Sequence, residues 1–121
     1  MIKQTNCTII GIDSNPNMLK LSNDYVNSKN FTSYSIDDLK KLIDTGLKFD
    51  AVFSILVLQH SLNPQQDINL IYYALKDEGF FYLLNENKRF LPTKSPDSNF
   101  VNWKDDGKNV IKLIEERFIE I

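Results

Sequence analysis

The chain has little of what marks several large protein classes. A single cysteine, Cys7, among 121 residues excludes an intramolecular disulfide and a multi-cysteine zinc site. A single histidine, His60, excludes a histidine-rich metal centre, so no metal is expected. Four glycines and four prolines exclude collagen-like and low-complexity chains. Basic charge is not in excess: 14 Lys and Arg face 16 Asp and Glu, so no field points to a nucleic-acid partner. No run approaches the roughly 20 apolar residues of a membrane-spanning helix. The apolar stretch near the N-terminus, Thr8 to Ile12, is too short for a secretory signal. A soluble, cytoplasmic protein is the expectation. The motifs GxGxxG, GxSxG, HExxH and the phosphate-binding P-loop are all missing. Arginine is scarce too, with only Arg89 and Arg117, whereas asparagine occurs thirteen times. That bias suits an AT-rich genome and lowers the functional weight of any single Asn or Lys.

What remains is ordinary globular material, 42% hydrophobic and 25% charged. The length suits one domain, residues 1–121, burying about two-thirds of its unfolded surface. Short apolar strands alternate with amphipathic helices. Cys7 to Ile12 (CTIIGI) reads as a buried strand, with Cys7 a small core hydrophobe. Asn15 followed by Pro16 is a helix start, a capping side chain and then Pro at the first helical position. Phe31 to Ile36 alternates as a second strand, and Asp37 or Asp38 caps a short helix that Gly46 ends. Phe49 to Leu58 is the strongest strand signal, its second half turning out of the sheet. Asn63 and Pro64 repeat the cap-then-Pro device before the stripe Ile68, Ile71, Tyr72 and Leu75. Lys76 to Gly79 is a turn and Gly79 to Leu84 another strand. Residues 88–102 read as loop. Asp105 or Asp106 caps a last helix, and Phe118 to Ile121 forms a terminal strand. This order predicts an α/β fold with a mainly parallel sheet, whose ligands bind beyond the C-terminal ends of the strands.

The chemistry at those ends is polar. Asp13 follows the first strand. A carboxylate there, acceptor-only on two oxygens, can satisfy both hydroxyls of a ribose. It could equally cap the helix, but Asn15 fills that role better. One of Asp37 and Asp38 could accept from an exocyclic amine of adenine while the other caps its helix. Leu39 could press on a purine, though plain core is the simpler reading. His60 follows the long strand in a loop and has the near-neutral pKa of a general base; a surface or core histidine is the plainer alternative. Trp103 reads as packing on a sheet edge, and Glu86 as a weaker candidate for polar contact.

Thr8 to Leu19 (TIIGIDSNPNML) resembles the segment of class I S-adenosylmethionine-dependent methyltransferases in which the second strand ends in the ribose-binding acid. Lys48 to Glu86 resembles that family's fourth strand, following helix and fifth strand: Phe-Asp opening the strand, Leu-Gln-His after it, and a Leu-Lys-x-x-Gly turn. Val110 to Ile121 is similar to the next helix and strand. The resemblance implies a Rossmann-like three-layer sandwich and S-adenosylmethionine as cofactor. It implies that Asp13 holds the ribose, with Ser14 and Met18 near the cofactor. Asp37 or Asp38, with Leu39, meets the adenine. Ser54 and Ile55 line the cofactor, and His60 faces the cofactor or substrate side.

Two departures set further expectations. The family's first strand and glycine-rich loop belong a few tens of residues before Thr8, where this sequence has seven residues and no GxGxG. The last hairpin strand is missing as well. The chain is therefore expected to be the middle of a methyltransferase, truncated or degenerate, with weak or absent cofactor binding. Without a central strand, strands 7–12 and 49–55 are expected to pair directly, or the chain to form a homodimer or take up a complementing chain. The function implied is methyl transfer to an unidentified acceptor. The alternatives are a non-catalytic remnant that binds a partner and, further off, a nicotinamide-dependent Rossmann enzyme.

Overall fold

The computed structural model describes residues 6–85 and 108–120. The elements run β1 (Ile9–Ile12), α1 (Pro16–Val26), β2 (Phe31–Tyr34), α2 (Ile36–Asp44), β3 (Phe49–Ile55), a short 3-10 turn (Leu58–His60), α3 (Pro64–Ala74), β4 (Leu75–Leu84) and α4 (Lys108–Glu115). The chain divides into two compact units, Met1–Leu47 and Lys48–Ile121. Each contains one two-stranded parallel sheet, β1–β2 in the first and β3–β4 in the second. The α/β class with parallel pairing is as expected. Among the described residues the ladders are β1 with β2 in the first unit and β3 with β4 in the second. No described helix is long and apolar enough to cross a membrane.

In the first unit, side-chain caps decide the helix boundaries. Asn15 accepts the Asn17 N–H at 2.9 Å and Pro16 opens α1. Asn27 closes it in the left-handed conformation that asparagine tolerates. The second cap differs from expectation. Ser35, not Asp37 or Asp38, starts α2: its hydroxyl accepts the Asp38 N–H at 3.1 Å and donates to the Asp38 carboxylate at 2.8 Å. Capping chemistry thus outweighs the alternating pattern that extended the strand to Ile36. Gly46, at φ 94°, then supplies the left-handed turn after α2. Cys7 also departs from expectation. It lies exposed before β1 rather than in a core, because the strand begins only at Ile9.

α1 is tied to β2 by polar groups. Ser33 is buried; its hydroxyl and that of Ser22 both donate to the Leu19 carbonyl, at 2.8 and 2.9 Å, and meet each other at 3.0 Å. The Ser33 N–H donates to Asn23 Oδ1 at 2.9 Å. Ile9 and Asp13 both donate toward β2, so the Phe31 and Ser33 N–H groups face away from β1. Phe31 N–H is taken by the Ser28 carbonyl and Ser33 N–H by Asn23, which closes the outer edge of β2. Asn23→Ala leaves that strand N–H without its protein acceptor and is expected to cost about 1 kcal/mol. Urea denaturation measures it; an unchanged midpoint would mean that the Asn23 contact is not formed.

The second unit has the larger apolar core. Leu58, Ile68 and Val110 are buried together, with Ile71, Phe81, Leu83, Leu113, Ile114 and Phe118 packed around them. α3 starts with Asn63 accepting the Gln66 N–H at 3.2 Å and Pro64 in the first turn. At its other end the Lys48 ammonium donates to the Tyr73 carbonyl, a cation where the helix dipole favours one. The β3–β4 register jumps from Phe49↔Leu75 to Ala51↔Phe80, so Lys76–Gly79 bulges opposite Asp50. Lys76 and Asp50 pair across the bulge at 2.7 Å. The expected terminal strand at 118–121 is not present in described residues 118–120. There the chain still winds off α4, with Phe118 N–H donating to the Ile114 carbonyl, and the Phe118 ring packs against Phe81 and Tyr72. The predicted loop at 88–102, the cap at Asp105 or Asp106, Glu86 and Trp103 lie outside the described residues.

Candidate functional site

In each unit the sequence candidates gather at the C-terminal edge of a parallel sheet. In the first unit the Asp13 N–H donates to the Tyr34 carbonyl at 3.3 Å, which sets the end of β1 beside the end of β2. The Asp13 carboxylate leaves β1 at that edge. Its Oδ1 accepts the Asn15 N–H at 2.8 Å, a local turn that fixes the side chain. Oδ2 takes no hydrogen bond among the described residues. Asn15 carries the helix cap, so Asp13 is oriented but not consumed. Ser14 and Met18 are exposed along the start of α1.

The two acids after β2 have different surroundings. Asp38 bonds Ser35 through one oxygen and Lys41 through the other, at 2.8 and 3.1 Å. The Ser35 hydroxyl, then the Lys41 ammonium, holds its carboxyl below the usual range. Among the described residues Asp37 pairs with Lys40, at 3.6 Å on the surface, a pairing of small energetic weight. Leu39 is buried in the unit itself.

In the second unit Ser54 and Ile55 end β3 on opposite faces. Ser54 is buried on the helix-covered face and Ile55 is exposed on the other. The Ser54 hydroxyl and the Asn85 amide oxygen, just beyond β4, are both buried without a hydrogen-bond partner among the described residues. Asn85 opens the segment Asn85–Asn87, one of the strand ends where the sequence places candidate ligand contacts. It lies in phase with Phe81 and Leu83 on the inner face. Leu56 then takes a left-handed φ of 56°, which a branched side chain adopts only under constraint. Its N–H is held by the Leu84 carbonyl at 2.6 Å. Such stored strain is characteristic of functional loops. The constrained turn leads into Leu58–His60, where Leu58 enters the core and His60 Nε2 lies 3.2 Å from Gln59 Nε2.

Parallel strands, polar groups at their C-terminal ends and a carboxylate closing β1 all suit a nucleotide-type ligand. The family described as a methyltransferase domain has a model that matches residues 1–83. The chain belongs to the class I methyltransferase family. The match spans β1 to β3 and runs into β4, so it takes in both parallel sheets and their connecting helices. The α/β architecture is accordingly Rossmann-like. No curated protein and no solved structure matches the chain. Methyltransferases of this family typically use S-adenosylmethionine.

Proposed function

We propose that this chain serves S-adenosylmethionine-dependent methyl transfer and carries the nucleoside-holding half of the cofactor site. The observation that supports this most is the Asp13 carboxylate, fixed through Oδ1 at the sheet edge with Oδ2 open. Two adjacent ribose hydroxyls are donors that such a carboxylate satisfies together. Asp37 is the better acceptor for an adenine amine, because Asp38 already spends its oxygens on Ser35 and Lys41. Ser14 and Met18 flank Asp13, with Leu39 as core beneath. In the second unit, Ser54 at the end of β3 is assigned to cofactor contact, and His60 to taking a proton from an acceptor group. When bound, the cofactor supplies an electrophilic methyl on a sulfonium.

The fit is to the adenosine half. The four glycines, Gly11, Gly46, Gly79 and Gly107, stand far apart, so the 121 residues contain no glycine-rich turn for close backbone approach to the methionine half. Binding by this chain is therefore expected in the millimolar range, and alike for S-adenosylmethionine and adenosine. An NMR titration should shift the amides of Asp13–Met18 and Asp37–Leu39. Asp13→Ala should weaken binding roughly 10- to 100-fold, the loss of hydrogen bonds to a charged acceptor. Micromolar affinity that requires the methionine half, or shifts confined to other residues, would overturn the reading.

A further inference from the structure

Among its described residues, the second unit taken by itself leaves one face of its sheet bare. Three cross-strand pairs, Ala51 with Phe80, Phe53 with Tyr82 and Ile55 with Leu84, lie side by side on the face opposite the helices. Alternation along each strand sends Val52, Ser54, Phe81 and Leu83 inward and these six residues outward. All six are exposed, the five large ones between 47% and 63%, and none is charged. The Phe53 and Tyr82 rings already meet, their centroids 5.9 Å apart, and form a ridge across the two strands.

We infer that this face is the contact between two copies of the chain. Each ring is worth roughly 200 Å² when buried, and at these exposures the patch offers about 550 Å² per copy, at the top of what monomers leave open. Two such faces together cover about 1,100 Å², above the roughly 1,000 Å² that a specific interface needs. A twofold contact sets the patch against itself, so an uncharged surface meets an uncharged surface. A net charge of only −2 opposes it little. Two sheets facing one another at about 10 Å form a sandwich in which both sets of rings leave water.

Analytical ultracentrifugation of the 121-residue chain from 1 to 500 µM tests this, with reductant present so that the exposed Cys7 cannot crosslink copies. A reversible dimer is expected in the tens of micromolar. Phe53→Glu and Tyr82→Lys should each weaken it at least 100-fold while the circular dichroism is retained. Dilution followed by NMR on the unaltered chain gives a second readout that needs no variant to fold. Amide signals of 51–55 and 80–84 should move with concentration, and those of α2 should not. A monomer throughout overturns the proposal, whatever other element covers the face. So does a dimer that ignores both substitutions or whose dilution shifts lie outside these two strands.

Discussion

Ile68→Ala is expected to cost about 2–5 kcal/mol, the usual range for emptying a fully buried aliphatic site. Ile68 is wholly buried between Leu58 and Val110, so its truncation opens space among three elements at once: the 3-10 turn, α3 and α4. Domains of this size have roughly 5–15 kcal/mol of stability in all, so the loss is a large fraction of the whole. Urea denaturation followed by circular dichroism should show the midpoint falling by about 1–3 M. The effect reaches the candidate site, because Leu58 anchors the turn that carries His60. The His60 ring signals should broaden or shift in the variant even under conditions where it stays folded. A loss below 1 kcal/mol would mean that α3 does not rest on Leu58 and Val110.

Gly79→Val is expected to cost about 3 kcal/mol, by overpacking rather than by a cavity. A Cβ built on Gly79 lies 2.9 Å from the Lys76 carbonyl oxygen and 3.2 Å from that of Asp50. Both are backbone atoms, one in the bulge and one on the facing strand β3, and neither can swing aside as a side-chain tip could. To make room, the Lys76–Gly79 segment must move off β3, which disturbs the register where Ala51 meets Phe80. Asp77→Ala is the control. It sits in the same bulge with its side chain in solvent and should change stability by less than about 0.5 kcal/mol. Equal stability of the Gly79 variant and the control would show that the bulge is not held as tightly as these distances require.

The parts legible in the sequence were those set by short-range chemistry. Asn15-Pro16 and Asn63-Pro64 place helix starts because the capping oxygen, the N–H it accepts and the proline lie within a few residues. Lys76–Gly79 reads as a turn in the sequence, but the structure takes it into β4 (Leu75–Leu84) as a bulge, because Phe49 already pairs with Leu75 before it. Ser35 was missed because a serine in an alternating run looks like strand until its hydroxyl finds the Asp38 N–H. Phe118 to Ile121 alternates as a strand would, but Phe118 gains more by packing on Phe81 and Tyr72 than its segment would by extending. At the site, the position of Asp13 at a strand end was legible, whereas its fixation by the Asn15 N–H was not. Ser54 and Ile55 were read as one lining. Their adjacency in a strand already separates them, since neighbours along an extended chain face opposite ways.

Both ladders join strands that are consecutive in the chain, Ile9 meeting Phe31 and Ala51 meeting Phe80. Neither sheet therefore waits for a distant segment to arrive. Contact order is kept low for a parallel β protein, and loop closure, the slow step in such topologies, is confined to one helix-containing crossover per sheet. On the ribosome the first crossover can close once Tyr34 has emerged, before any residue of β3 has left the tunnel.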